Sequence, residues 1–225
     1  MKQGIFKIES NVPLTGDVMK MTLSGDTSAI TAPGQFVNIK LDGFFLRRPI
    51  SVCDLEGDKL TIIYKIVGRG TGAMASMTGG KLDVLIGGGA GVPPMYLLAR
   101  KLLQQGKHPH VILGFNTASE VFYEEEFKAL GAGVTVTTAD GSCGVKGFAT
   151  AAMDRDYSYF YACGPEAMLK AVSDASRTGG QLSFEERMGY GFGACMGCSC
   201  KTLYGNKRIC KDGPVLRKEE IIWEK

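Results

Sequence analysis

The stretch that decides the fold is residues 84–94, which read VLIGGGAGVPP. A short apolar run ends in a glycine-rich turn, and the apolar residues that follow the turn recur at helical spacing: Met95, Leu98, Ala99, Leu102 and Leu103. A strand, a glycine turn and a helix in this order are typical of an α/β sheet that faces a dinucleotide. Val92 stands where a strict G-x-G-x-x-G has its last glycine, so a purely structural turn stays open as an alternative.

The chain continues as alternating strands and helices. We predict strands over residues 110–115, 134–138 and 157–162, and helices over residues 122–130, 145–153 and 166–177. This alternation predicts a doubly wound parallel sheet. Cys163 and Gly164 follow the last of these strands, at the carboxyl edge where such sheets bind ligands, although Cys163 taken alone also fits a small buried residue. The second strand ends in residues 114–117 without an arginine for a 2′-phosphate, which favours NAD over NADP.

The first eighty residues have a different pattern. Short apolar runs at residues 4–8, 18–23, 35–41, 50–53 and 60–67 are separated by turn-forming residues, which predicts a small antiparallel barrel or sandwich followed by a helix over residues 70–77.

Two segments of this β-rich part suit phosphate binding. Residues 47–51 read RRPIS, and an arginine fork at a barrel rim can grip a pyrophosphate while Ser51 reaches a flavin ring nitrogen. Residues 63–65 lead to the glycine-rich turn 68–72, whose backbone N–H groups can bind phosphate. Neither segment is specific alone, and residues 47–51 fit a basic turn before a strand equally well.

The cysteines are concentrated near the end of the chain. Four of the seven lie within a span of sixteen residues that follows a glycine-rich stretch: Cys195, Cys198, Cys200 and Cys210. An odd number of cysteines, in a chain whose start has no signal-peptide core, argues against a disulfide framework and for the cytoplasm. The cluster therefore predicts an iron–sulfur site, with structural zinc as the competing interpretation.

Composition excludes several classes of function. The 225 residues are 44% hydrophobic and 22% charged, which is typical of a globular protein. The net charge of +3 gives no reason to expect a nucleic-acid or membrane partner. No run approaches the ~18 apolar residues of a membrane span.

Taken together, these segments resemble known redox proteins. The barrel with RRPIS and GRGTG resembles the flavin domain of the ferredoxin reductase superfamily, and the GGGAGVPP and CGPEAM segments (residues 87–94 and 163–168) resemble its nicotinamide domain. The run EERM at residues 185–188 and the run RICKDGPV at residues 208–215 resemble the electron transfer subunits of NAD-linked (type B) dihydroorotate dehydrogenases.

The resemblance implies a fold, cofactors and partners. It implies an FAD-binding barrel over residues 1–80, an NAD-binding α/β domain over residues 81–182 and a [2Fe-2S] module over residues 183–225. It also implies a separate FMN-bearing catalytic subunit, a heterotetramer with two copies of each chain, and a place in pyrimidine (UMP) biosynthesis. No residue of this chain is expected to act catalytically on dihydroorotate.

The same resemblance assigns site residues. The FAD residues are Arg48, Pro49, Ile50, Ser51, Ile63, Tyr64, Lys65, Gly70 and Thr71. The nicotinamide residues are Gly87, Gly88, Gly89, Gly91, Cys163 and Gly164, and the cluster ligands are Cys195, Cys198, Cys200 and Cys210.

Two departures from the family pattern affect these expectations. Tyr190 stands where the family has its first cluster cysteine, so Cys200 is expected to be the replacement ligand. The family also has a further glycine-rich strand before the GGG turn, and without that strand the completion of a six-stranded barrel is in doubt. The alternatives are a hydrogenase or ferredoxin–NADP oxidoreductase subunit and, from another class, a cofactor-free module with a zinc clip.

Overall fold

The computed structural model describes residues 3–79, 91–153, 156–186, 188–189, 191 and 193–223, together with the backbone of residues 81–88. The amino-terminal part is a closed antiparallel barrel with the strand order β1-β2-β5-β4-β3-β6. Its strands are β1 (Gln3–Pro13), β2 (Val18–Ser24), β3 (Gln35–Lys40), β4 (Arg48–Glu56), β5 (Lys59–Lys65) and β6 (Lys81–Gly88).

The barrel core follows from the side-chain pattern of its strands. Met21 and Leu23 are fully buried and alternate with half-buried Lys20 and Thr22, which is the period of a strand with one face inward. Helix α1 (Arg69–Ala75) covers one end of the barrel, and its Met74 is fully buried there. The predicted barrel and its helix are thus confirmed.

The α/β part contains the predicted parallel strands. Strands β7 (His110–Phe115), β8 (Gly133–Thr138) and β9 (Val145–Lys146) form one parallel sheet, and β10 (Phe160–Gly164) pairs in parallel with β11 (Gly180–Phe184) in another. The helices around them are α2 (Val92–Gln104), α3 (Glu124–Ala129) and α4 (Glu166–Ala175), with single 3₁₀ turns at Ala118–Glu120 and Ala149–Ala152.

The strand before the glycine turn was expected to open the α/β domain, and the structure corrects that expectation. Residues 84–86 lie in β6, which pairs antiparallel with β1 on one side and with β3 on the other. Because the described residues between α1 and α2 form one strand, closing the barrel takes the strand that was expected for the parallel sheet. The described parallel strands therefore stand in two three-stranded sheets, β7-β8-β9 and one containing β10 and β11. The domain boundaries themselves stay predictions.

A second correction concerns residues 145–153, for which we predicted a helix. They form the short strand β9 and the 3₁₀ turn Ala149–Ala152. The reason is local, because Gly144 and Gly147 have φ values of 64° and 127°, outside the helical region.

The carboxyl-terminal module is a hairpin followed by a short helix. Strands β12 (Ser199–Thr202) and β13 (Gly205–Arg208) pair antiparallel, α5 (Ile209–Asp212) follows, and β14 (Val215–Arg217) adds antiparallel to β11. Cys198, Ile209 and Cys210 are buried in one cluster with Leu182 and Phe184, so the module and the second sheet share a core. Among the described residues, no helix has the length and apolar character needed to cross a membrane.

Candidate functional site

The two phosphate-binding segments meet at one rim of the barrel. Arg48 begins β4, and its guanidinium lies directly over Gly70, so that a Cβ on residue 70 would overlap it. Arg48 Nη1 donates to the carbonyl of Leu46 at 2.7 Å, and the guanidinium carbon lies 5.1 Å from the ring centroid of Phe44. Arg48 and Gly70, which are distant in sequence, thus form one positively charged site at the barrel rim, which we call the cradle.

The residues around this cradle are largely fixed by the barrel. Thr71 is buried, and its hydroxyl accepts from the Val67 N–H at 3.0 Å and donates to the Gly68 carbonyl at 3.3 Å. Ser51 is buried opposite Phe36, whereas Pro49 and Ile50, its neighbours on β4, are half-buried. The Thr71 hydroxyl therefore holds the turn 68–72 at both of its ends.

Residues 63–65 border a cavity of about 260 Å³ between the barrel and the α/β part. Tyr64 donates its hydroxyl to Asn11 Oδ1 at 3.0 Å, and burial raises the pKa of Tyr64. Lys65 forms an ion pair with Asp17 at 2.9 Å. The far wall of the cavity includes Gly91, where α2 begins.

The glycine turn and the cysteine after β10 also come together. Gly91 has a φ of 84° and donates its N–H to Cys163 Sγ, although the two residues lie 72 positions apart. Gly164 has a φ of 150°, and a Cβ there would collide with Met168. Cys163 borders a second cavity of about 320 Å³ between α2, β10 and β11. Gly87 and Gly88 instead pair with Phe36 and Gln35 in the barrel, and Gly89 lies outside the described residues.

Three of the four clustered cysteines influence one another. Cys198 and Cys210 are buried, and the Cys210 N–H donates to Cys198 Sγ at 3.4 Å. Burial raises the pKa of the Cys210 thiol to about 11, and the hydrogen bond with Cys198 and the charges of Cys198 and Cys195 act in the same direction. The bare backbones of Gly189 and Gly197 flank Cys195, since a Cβ on either would lie 3.5 and 3.8 Å from its sulfur.

Cys200 has different neighbours. Burial raises the pKa of its thiol to about 11, and the charges that act on it are those of Glu166, Glu186, Glu220 and Lys207. Within the described part of the chain, no three His, Cys, Asp or Glu side chains are arranged to hold a metal ion as they stand. The soft thiol donors fit an iron–sulfur cluster in kind, and Cys195, Cys198 and Cys210 interact with one another without forming a ready set of ligands. Tyr190 lies outside the described residues.

Sequence reasoning missed two residues of this region. Asn38 is buried in the apolar run FVNIK, and its Nδ2 donates to the Gly191 carbonyl at 3.0 Å, which ties the cysteine loop to the barrel. A polar residue inside an apolar strand was the available signal. Glu185 keeps solvent-accessible surface, yet the protein atoms packed around its carboxyl group raise its pKa; its Oε1 lies 3.2 Å from where a Cβ on Gly91 would be.

Comparison with protein families identifies two segments. Residues 185–222 match the iron–sulfur cluster binding domain of dihydroorotate dehydrogenase B, and residues 85–174 match the oxidoreductase NAD-binding domain.

Similar proteins cover nearly the whole chain. The electron transfer subunit of dihydroorotate dehydrogenase B (NAD(+)) from Fusobacterium nucleatum subsp. nucleatum is 40% identical over 250 positions, covering 95% of this chain and 96% of the relative. The subunit of the same name from Shouchella clausii is 36% identical over 256 positions, with 98% of each chain covered. Both alignments are longer than the 225 residues of this chain, so the relatives have residues that it lacks.

Solved structures show the same architecture. The NADH-dependent reduced ferredoxin-NADP oxidoreductase superposes with a TM-score of 0.86 at 27% identity, covering 97% of this chain and 90% of that one. A ferredoxin NADP+ reductase from Neisseria gonorrhoeae, solved with bound FAD and NADP, superposes with a TM-score of 0.66 at 17% identity over 78% of this chain and 90% of that one. The second likeness supports the fold alone.

Proposed function

The chain belongs to the family of electron transfer subunits of dihydroorotate dehydrogenase B (NAD(+)), and on that premise we propose how its residues divide the work. It is an oxidoreductase subunit whose cofactors are FAD, an iron–sulfur cluster and NAD. We propose that electrons enter from an FMN-bearing catalytic subunit, pass the cluster and FAD, and leave on NAD, in a heterotetramer with two copies of each chain.

The observation that carries this proposal is the Arg48–Gly70 cradle. The bare backbone of Gly70 lets the Arg48 guanidinium pack directly against the start of α1, because a side chain on residue 70 would overlap it. The arginine donors and the backbone N–H groups of the turn 68–72 can then face one pyrophosphate. We infer that Arg48, Gly70 and Thr71 hold the FAD phosphates and that Ser51 contacts the flavin ring. Pro49, Ile50 and residues 63–65 would line its flanks.

FAD, when bound, exchanges single electrons with a cluster and a hydride with NAD. The residues of this chain then have to bind and orient. We infer that Gly91 and Gly164 keep the backbone bare where the dinucleotide approaches, and that Cys163, held by the Gly91 N–H, lies beside the nicotinamide. Gly87, Gly88 and Gly89 belong to the same proposal, although the first two pair within the barrel.

For the cluster we propose Cys195, Cys198 and Cys210 as ligands, supported by their mutual proximity, and Cys200 as the fourth. Cys200 has the least support of the four, because its nearest charges are carboxylates and a lysine. Asn38 and the buried core around Cys198 would hold the loop in place.

The test is purification without air, followed by spectroscopy and assay. We expect flavin and iron absorption, with FAD and iron present in the same preparation, and bleaching of the flavin band by NADH. Added dihydroorotate should reduce the chain only when an FMN-bearing partner is present. A colourless protein that contains zinc and does not react with NADH would contradict the proposal.

A further inference from the structure

Arg100 connects helix α2, which begins after Gly91, to strand β4, which begins at Arg48. Arg100 lies in the middle of α2, and its Nη2 and Nη1 contact Asp54 Oδ1 at 2.8 Å and Asp54 Oδ2 at 3.1 Å. The same side chain donates to the Leu55 carbonyl and lies 3.4 Å from Glu56 Oε1. The guanidinium therefore grips both the side chain and the backbone at the end of β4, in the fork geometry that lysine cannot copy.

The barrel strand is shaped for this contact. The pairing of β4 with β5 shifts register between Val52 and Asp54, so Cys53 is an extra residue in the ladder. Such a bulge redirects the side chains around it. Cys53 is fully buried in a cluster with Ala99 and Tyr123 of the α/β part, and Asp54 meets Arg100 beside it.

The ion pair is shielded from water, which makes it more than a surface contact. The side chains of Arg100 and Asp54 are 21% and 15% exposed. A bidentate pair at this depth holds a defined geometry, whereas an exposed pair contributes little. Lys101, the next residue of α2, also crosses to the barrel, where its Nζ donates to the Thr31 carbonyl at 3.1 Å.

The pair lies apart from the residues proposed to bind the cofactors. Asp54 follows Ser51 by three residues, roughly 10 Å along a strand. Arg100 follows Val92 by eight residues, roughly 12 Å along a helix. Strand β4 thus begins at the proposed flavin site and helix α2 at the proposed nicotinamide site. The two elements meet at Asp54 and Arg100, away from both sites.

We propose that Arg100, through Asp54, is a positioning residue that sets the spacing between the flavin and the nicotinamide for hydride transfer. The inference rests on the proposed function, because it requires FAD on the barrel and NAD at the glycine turn. Hydride transfer depends steeply on the separation and orientation of the reacting atoms, and a misplacement of about 1 Å can lower a rate about 100-fold. A loosened link would change the rate of transfer while both binding sites stay intact.

The experiment is anaerobic stopped-flow reduction of the bound FAD by NADH in Arg100→Gln, Arg100→Lys and unmodified protein, with rates expressed per bound FAD. We expect the limiting rate to fall about tenfold or more in Arg100→Gln, with the NADH dissociation constant and FAD content within about twofold, and an intermediate rate in Arg100→Lys. The matched control is Lys170→Gln, which breaks the exposed pair between Lys170 and Asp174 on α4 and should leave the rate unchanged.

The outcomes separate the two claims. A limiting rate in Arg100→Gln equal to that of the unmodified protein overturns the positioning role. So does a loss of rate that is fully explained by lost FAD, which would mark a merely structural contact. Should Arg100→Gln fail to fold, Arg100→Lys decides, because it keeps the charge and loses the fork. Unmodified protein that binds FAD but is not reduced by NADH would overturn the proposed function, and this inference with it.

Discussion

Gly70→Ala should weaken FAD binding without harming the fold. The added Cβ would overlap the Arg48 guanidinium, which is the flexible end of a long side chain and can swing away. The barrel would be left intact, but the cradle would lose its arginine. A charge-assisted hydrogen bond to phosphate contributes about 1.5–3 kcal/mol, so the dissociation constant should rise about one to two decades.

Stability should not fall with FAD affinity. Alanine is favoured over glycine in a helix interior by about 1 kcal/mol, which in a protein of this size corresponds to about 2–4 °C in melting temperature. At residue 70, in the first turn of α1, the loss of the Arg48 contacts with Leu46 and Phe44 offsets that gain. Gly72→Ala is the matched control, because it lies in the same helix and its new methyl group would meet no atom of the described residues within 4 Å.

The assay is a fluorescence titration of apoprotein with FAD, combined with thermal melting of the same samples. Gly72→Ala should bind FAD like the unmodified chain and melt at a higher temperature. Gly70→Ala should melt at a similar or higher temperature and bind FAD weakly. If Gly70→Ala bound FAD with unchanged affinity, the cradle would not be the phosphate site.

Three further predictions test the cluster ligands, the dependence on a catalytic subunit, and the placing of β6 in the barrel. Cys198→Ser should remove the two-iron electron paramagnetic resonance signal of reduced protein while FAD is retained; the same change at Cys200 should also remove it, and an unchanged signal there would assign the fourth position to another residue. The isolated chain should pass electrons from NADH to an artificial acceptor but not oxidise dihydroorotate, so turnover of dihydroorotate by this chain alone would refute its role as a subunit. Insertion of a glycine-rich loop and a second apolar strand between Leu85 and Ile86 should tighten NADH binding in a calorimetric titration, because barrel and parallel sheet would each have a strand; unchanged affinity would mean that the strand taken by the barrel does not limit binding.

Local patterns predicted much of this fold because they report on local forces. The alternation around Met21 and Leu23 is the signature of a strand with one buried face, and it predicted β2 correctly. The helical spacing after Gly91 likewise predicted α2. The helix expected over residues 145–153 failed because two glycines with positive φ outweighed a weak apolar pattern.

The assembly of the site was harder to foresee, since it depends on contacts between distant residues. Sequence identified Arg48 and Gly70 separately, but only the fold places one above the other. Cys163 and Gly91 were assigned to one ligand by resemblance, and their hydrogen bond gives that pairing a physical basis. Asn38 was overlooked because its role is a single bond to the Gly191 carbonyl, 153 positions away.

Residues 81–88 show why an apolar run cannot say which sheet it joins. The NAD-binding family pattern begins at residue 85, whereas the structure pairs Leu85 with Gln3 and Asn38 of the barrel. In the structure this strand satisfies the edges of β1 and β3 in the barrel, whereas β7 and β10 have one partner each among the described strands.

The barrel wins that competition for two physical reasons. Its pairing is antiparallel, which is slightly more stable per residue than parallel pairing. The connection from α1 is also short, so closing the barrel orders few additional residues. Among the described strands, the two parallel sheets then share no strand, and α2 packs on β4 through Arg100 and Asp54. The orientation of α2 therefore depends on the barrel, and on the proposed function this is the physical reason why the Arg100–Asp54 pair should control the rate of hydride transfer.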